Sequence, residues 1–167
     1  MPLERFSAAW REGYVTTASS KESGMSAPCV FCQLAELEPS VESGVIWHTP
    51  KSFVTLNAFP YGSGHLLVLP RRHVAPLSDL DDDEYSDFFL LIRKTVLAIE
   101  KAYGADGLNV GLNLGQAAGA GIPQHLHGHV LPRWSGDTNF MTTIGETRVL
   151  PESLESTWHK VRAHFAS

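Results

Sequence analysis

Only two cysteines occur in 167 residues, and no apolar run approaches the roughly 20 residues that a bilayer-spanning helix needs. The first scarcity excludes a disulfide-built scaffold, and the second predicts a chain without a membrane span. Met1 to Arg11 carry charges and no apolar segment, so a secretory leader is not expected and a cytoplasmic protein is. Positive charge is scarce too: 13 Lys and Arg stand against 18 Asp and Glu, a formal net charge of -5. That balance excludes nucleic-acid or anionic-membrane binding through a broad basic surface. It leaves room for a local phosphate site built from backbone donors and imidazoles. Repeats and low-complexity stretches are absent as well. What remains, 43% hydrophobic and 19% charged, is the composition of one globular domain with a sizeable core.

Residues 1–26 read as a flexible head, small and polar from Thr16 to Ser26, and residues 27–167 as a single domain. Val45 to His48 and Ser52 to Leu56 are short apolar runs separated by Pro50-Lys51, which predicts a hairpin. A turn at 60–64 leads into a third strand, His65 to Pro70. Asp81 with Glu84 makes a capping box for a long helix, and Gly104 is its stop. Tyr85, Phe88, Phe89, Ile92, Val96, Ile99 and Tyr103 form its apolar stripe, while Leu91, Thr95 and Ala98 mark a second, mildly apolar face. Leu108 to Leu114 alternates as a fourth strand, and a Gly/Ala loop at 115–121 turns into a fifth. Pro151 starts a last helix that carries Leu154, Trp158, Val161 and Phe165 on one face. The expected class is α+β: an antiparallel sheet of about five strands covered by one long helix, with a C-terminal helix added.

Gln124-His125-Leu126-His127-Gly128-His129-Val130-Leu131-Pro132-Arg133-Trp134 carries the densest chemistry. Alternation along an extended strand projects His125, His127 and His129 from one face. Imidazoles titrate near neutrality, attack as nucleophiles and ligate metals. The cysteines sit together as Cys29-Val30-Phe31-Cys32, which suits either metal ligation or two buried free thiols.

The 124–134 stretch resembles the signature of the histidine triad (HIT) nucleotide-binding family, His-apolar-His-apolar-His-apolar-apolar. It matches at the three histidines, Leu126, Val130 and Leu131, and departs at Gly128, where a bulkier apolar residue is usual. Residues 57–73 are similar to the family's first nucleotide-binding hairpin and residues 109–134 to its second half. The tail at 133–140 is similar to a bacterial branch that includes diadenosine tetraphosphate phosphorylases. The resemblance implies a HIT-like fold and a homodimer. It implies nucleotidyl transfer through a covalent nucleotidyl-His127, with His129 as phosphate donor, His65 fixing the triad's hydrogen bonds, and His125 orienting its neighbours or serving a metal. Phosphorolysis of diadenosine tetraphosphate to ADP and ATP, with inorganic phosphate as acceptor, is the leading expectation. Hydrolysis of dinucleoside polyphosphates or phosphoramidates, or nucleotide binding with little turnover, are the alternatives. Nucleotide contacts are expected from Asn57, Asn113, Gly119, Gly121, Gln124 and Trp134, with Asn109 as an alternative to Asn113. Structural zinc is expected on Cys29, Cys32, His73 and His125, with His48 competing for one place.

Overall fold

In chain order, the computed structural model forms a short helix α1 (Val30–Ala35) and three strands, β1 (Val45–His48), β2 (Ser52–Leu56) and β3 (Leu66–Pro70). A long helix α2 (Asp82–Tyr103) separates these from β4 (Gly107–Leu112) and β5 (Gly128–Arg133). Two further helices follow, α3 (Phe140–Thr143) and α4 (Leu154–Arg162). The structure describes residues 29–145, 147 and 150–165, so the head expected over 1–26 lies outside it. All five strands join one antiparallel sheet in the order β1-β2-β3-β5-β4. Among the described residues no helix is long and apolar enough to cross a membrane.

The two faces of the sheet serve different ends. On the rear face, Val54, Leu56, Leu66, Val68 and Val130 meet Phe88, Leu91, Ile92 and Ile99 of α2, with Val161 and Phe165 from the C-terminal helix region completing the cluster. Each such side chain contributes roughly 1.5–3 kcal/mol by leaving water, and this burial is what fixes α2 across the sheet. The start of α2 is set locally. Asp81 accepts from the Glu84 amide at 2.7 Å while Glu84 accepts from the Asp81 amide at 3.1 Å. Arg72, just past β3, donates to both oxygens of Glu84 at 2.6 and 2.7 Å and so ties the helix N-terminus to the sheet. Gly104 ends α2 at φ 53°, a left-handed backbone that L side chains rarely adopt.

On the front face lie Phe53, Leu67 and Leu69, covered by Phe31 and Ala35 of α1. Beyond this cover the front of β5 and β4 is open. Pairing of Leu67 with His129 and of His129 with Gly111 runs a line of front-facing positions from β3 to the free edge.

Four expectations need correction. Leu91, Thr95 and Ala98 are buried against the core, whereas Tyr85 is exposed; the outward apolar residues of α2 are Leu90 and Leu97. The buried stripe is therefore shifted from the expected one: Leu91, Thr95 and Ala98 are buried together with Phe88, Ile92 and Ile99, and Tyr85 drops out of it. The last helix starts at Leu154, where the Ser153 hydroxyl accepts from the Ser156 amide, and not at Pro151. β4 ends at Leu112, leaving Asn113 outside the ladder. Most consequentially, β5 begins only at Gly128, so His125 and His127 precede the strand.

Candidate functional site

His129 is the member of the triad held by the sheet, on the front face between β3 and β4. Its Nδ1 lies 3.0 Å from Nε2 of His65, which stands just before β3. The Tyr61 amide donates to Nδ1 of His65 at 3.0 Å. A backbone N–H can only donate, so His65 Nδ1 accepts and neutral His65 carries its proton on Nε2. That proton is donated to His129 Nδ1, which leaves the His129 proton on Nε2. His129 Nε2 is buried with no hydrogen-bond partner among the described residues. The result is a buried donor with no acceptor among the described residues, on a residue of the sheet's front face. Burial, aided by neighbouring His127, pushes the His129 pKa down to about 4, so the donor is neutral near pH 7.

His127 is set differently. Its Nδ1 lies 2.8 Å from the carbonyl oxygen of His125, to which only a protonated Nδ1 can donate. The Nε2 lone pair is thereby left available. Burial lowers the His127 pKa below the usual histidine value, keeping the ring neutral at pH 7. The His127 ring is flanked by Phe31 at 5.3 Å and by His129 at 5.1 Å between centroids, and Tyr61 stacks on His129 at 5.7 Å. A row of rings thus runs Phe31, His127, His129, Tyr61. Chemically, it offers a neutral nucleophilic nitrogen beside a neutral N–H donor, a pair suited to attack at a phosphorus whose oxygen needs a donor.

His125 belongs to another cluster. Ligand atoms of Cys29, Cys32, His73 and His125 all lie within 4.8 Å of one another. The Cys29 Sγ–His125 Nδ1, Cys32 Sγ–His73 Nδ1 and Cys32 Sγ–His125 Nδ1 separations are 3.4, 3.2 and 3.7 Å. With Zn–S and Zn–N bonds near 2.3 and 2.0 Å, a tetrahedral edge between S and N measures about 3.5 Å, so the donor set fits zinc. The second nitrogen of His125 donates to the Pro70 carbonyl at 2.9 Å, which frees Nδ1 for a ligand role. Burial, with Cys29 close by, pushes the Cys32 thiol up to about 11. Ligation reverses that preference, because coordinating thiols bind as thiolates. His48 is not part of this set: its Nδ1 lies 3.0 Å from Arg71 Nη1. His125 is thus shared, its ring in the cluster and its carbonyl holding the proton of His127.

The remaining candidates separate. Asn57 is buried and turned inward, its amide 3.2 Å from His65 Nδ1 and its Oδ1 accepting from the Phe59 amide at 2.9 Å. It braces His65 and the turn. Asn113, Asn109 and Trp134 line a cavity of about 520 Å³ that begins at His65 and His129 and spreads over the front of β4 and β5. Gly119, Gly121 and Gln124 do not line it, and the Gly119 amide is consumed by the Gln116 carbonyl within a 3-10 turn. Sequence reasoning missed Phe31 and Tyr61, although Phe31 lies inside the cysteine pair and Tyr61 in the turn before His65, positions that could have drawn attention.

An open five-stranded sheet with a histidine cluster on its uncovered face and a Cys₂His₂ set beside it defines the kind of protein this is. The HIT domain family matches residues 38–136, and the chain belongs to that family. It is 38% identical to AP-4-A phosphorylase of Mycobacterium tuberculosis over 168 aligned residues, covering 98% of this chain and 85% of that one. It is 39% identical to the asymmetrical bis(5'-nucleosyl)-tetraphosphatase of Schizosaccharomyces pombe over 97 residues, 58% of this chain and 53% of that one. A Zn-bound histidine triad family protein from Mycobacterium smegmatis superposes with a TM-score of 0.66 at 28% identity, covering 83% of this chain and 94% of that one.

Proposed function

We propose that the protein is a nucleotidyltransferase that forms a covalent nucleotidyl-His127 and passes the nucleotide to inorganic phosphate, splitting diadenosine tetraphosphate into ADP and ATP. The observation that carries this reading is the pair of opposed tautomers: a lone pair on His127 Nε2 and a proton on His129 Nε2. His127 Nε2 attacks the α-phosphorus, the P–N bond forms as the P–O bond to the rest of the chain breaks, and ATP leaves with that electron pair. ATP is a stabilised anion, so the chemistry does not demand a strong acid from the protein. His129 donates to a non-bridging oxygen, where charge grows. A phosphate oxygen then attacks the same phosphorus, the P–N bond breaks, and ADP departs as His127 regains its lone pair.

The 38% identity to the mycobacterial AP-4-A phosphorylase over nearly the full chain supports phosphate as acceptor. The likeness to the yeast tetraphosphatase supports water as the alternative acceptor, with AMP released. Cys29, Cys32, His73 and His125 would hold zinc, which supplies structural cross-linking of α1 to the segment before β5. A homodimer is supported by the free edge at β4, where Val110 is about half exposed, as is Leu114 just beyond the strand.

Labelled inorganic phosphate decides the acceptor. Phosphorolysis places the label in the β-position of ADP and leaves ATP unlabelled. AMP with no label incorporated assigns the reaction to hydrolysis, and turnover by His127→Ala at the normal rate refutes the covalent mechanism for both.

A further inference from the structure

The sheet places His129 without fixing the plane of its ring. Its cross-strand neighbours on the front face are Leu67 on one side and Gly111 on the other, and a Cβ built on Gly111 would meet nothing within 4 Å. On the β4 side the sheet therefore sets no side chain against the imidazole, where a cross-strand neighbour ordinarily steadies its partner. The hydrogen bond from His65 holds one ring atom, Nδ1. Rotation of a histidine about χ2 is broad, so the plane needs a second constraint. Three rings lie against this one. His127 meets it edge-on, with 69° between planes, and His65 is tilted by 43°. Tyr61 is the near-parallel one, at 22° with centroids 5.7 Å apart. The same phenol ring is 4.5 Å from the ring of His65, so it packs on both partners of the His65–His129 bond.

The turn before β3 delivers Tyr61 to this place. The Asn57 amide donates to the His65 carbonyl at 3.1 Å, Asn57 Oδ1 accepts from the Phe59 amide, and the Tyr61 amide ends on His65 Nδ1. The Tyr61 backbone thus sets the proton of His65, and its side chain lies on the ring that accepts that proton. Two opposed effects meet at His129. An aromatic face attracts an imidazolium and by itself holds the pKa up. Burial nonetheless keeps His129 at about 4, so exclusion of water is the larger effect. Tyr61 is 40% exposed and lines the cavity beside His129, the side open to solvent. The titratable groups against His129 are His65, His127 and Tyr61 itself; Leu67 and Gly111 bring none, and the cavity's Arg133 and Asp137 are paired with each other. We infer that Tyr61 is a positioning residue for His129: its ring fixes the imidazole plane and keeps water from the His65–His129 hydrogen bond, so that the Nε2 proton is presented in one direction. The inference rests on the proposed role of His129 as donor to the reacting phosphate, and adds the residue that holds the donor in place.

NMR of isotope-labelled histidine ring nitrogens, with His129→Asn to assign the signals, tests this without turnover. In unaltered protein and in Tyr61→Phe, His129 is expected to show one tautomer, protonated on Nε2, and to take up no second proton between about pH 8 and about pH 5. Tyr61→Ala is expected to average the two tautomers and to raise the titration midpoint by about one pH unit or more. Tyr61→Leu keeps apolar bulk and loses the flat face. It should move both readings the same way by less, and it carries the test if the alanine variant fails to fold. An unchanged His129 signature in the alanine or leucine variant overturns the assignment. So does a Tyr61→Phe protein as perturbed as Tyr61→Ala, because the hydroxyl would then be the acting group. Kinetics give a second reading: with diadenosine tetraphosphate, Tyr61→Ala should lower kcat about tenfold and move KM by less than about threefold. A raised KM at unchanged kcat makes Tyr61 a ligand contact and overturns the positioning role. Failure of the function reading shows elsewhere, as absence of turnover and of a nucleotidyl-His127 in unaltered protein, and leaves the NMR comparison decisive.

Discussion

Gly128→Val restores bulk at the position where the chain departs from its family, and the structure predicts that it costs stability. Gly128 faces α2. A Cβ there would lie 3.2 Å from Ile92 Cδ1, 3.4 Å from Phe88 Cζ and 3.7 Å from Leu112 Cδ2. The space a larger residue would occupy is already filled by Phe88 and Ile92. A single methyl needs only a few tenths of an ångström from the flexible end of Ile92. Removing a glycine from a strand returns about 0.5–1 kcal/mol, so Gly128→Ala should be close to neutral. Valine adds two further methyls against the same wall, an overpacking cost of about 1–3 kcal/mol. The net loss should be about 1–2 kcal/mol, which for a chain of this size lowers Tm by about 2–8 °C. Urea unfolding of the two single variants, of Phe88→Leu and of the double variant Gly128→Val/Phe88→Leu measures both the loss and its cause. Shortening Phe88 should relieve the valine, so the double variant should be at least about 1 kcal/mol more stable than additivity predicts. Gly128→Val as stable as the unaltered protein, or strict additivity in the cycle, would refute the claim that Phe88 and Ile92 fill this position.

Burial holds His127 below its usual pKa, so the acidic limb of kcat/KM should lie below pH 6.5, and Phe31→Ala, which uncovers the ring, should move it upward; a limb at or above 6.5 in unaltered protein contradicts the site as described. His129, held at about 4, is neutral in the fold while the unfolded chain takes up its proton at about 6.5, so stability should fall as pH drops from 6.5 toward 4. His129→Asn should flatten that dependence, and an unchanged slope counts against it. Glu84 is held down to about 2 by Arg72, so its contribution is complete above pH 4.5 and fades as pH falls toward 2. Glu84→Gln should cost about 1 kcal/mol at pH 7, modest because Arg72 is half exposed, and much less at pH 3; an equal cost at both pH values excludes the ion pair as the cause. Metal analysis should find one zinc per chain, and chelation or Cys32→Ser should lower Tm by at least about 5 °C. Equal Tm with zinc and with chelator refutes the site.

The histidine triad separates what a pattern carries from what it omits. A period of two states that His125, His127 and His129 share a face for as long as the backbone stays extended. It does not state where hydrogen bonding to a neighbouring strand begins. The ladder between β3 and β5 reaches only to Val68 and Gly128, and the chain before that is held by other means. The Leu126 amide donates to the Val74 carbonyl at 2.7 Å, and the His125 ring turns into the cysteine cluster. The four metal-site residues were therefore legible as a set, through resemblance. That one of them also fixes the proton of the nucleophile was not, because the bond uses the His125 carbonyl, a group every residue possesses. The same holds for the Tyr61 amide that sets the His65 tautomer. Asn57 was legible as a polar residue of the turn, and its partners His65 and Phe59 were not: an amide in a turn can face a ligand or brace a histidine, and only the fold of residues 57–65 shows which partners it has. Strand order, helix caps and metal donors depend on side-chain identity and spacing, so they can be read in one dimension. The tautomers on which the proposed chemistry rests are written in backbone atoms, and they appear only once the chain has folded back on itself.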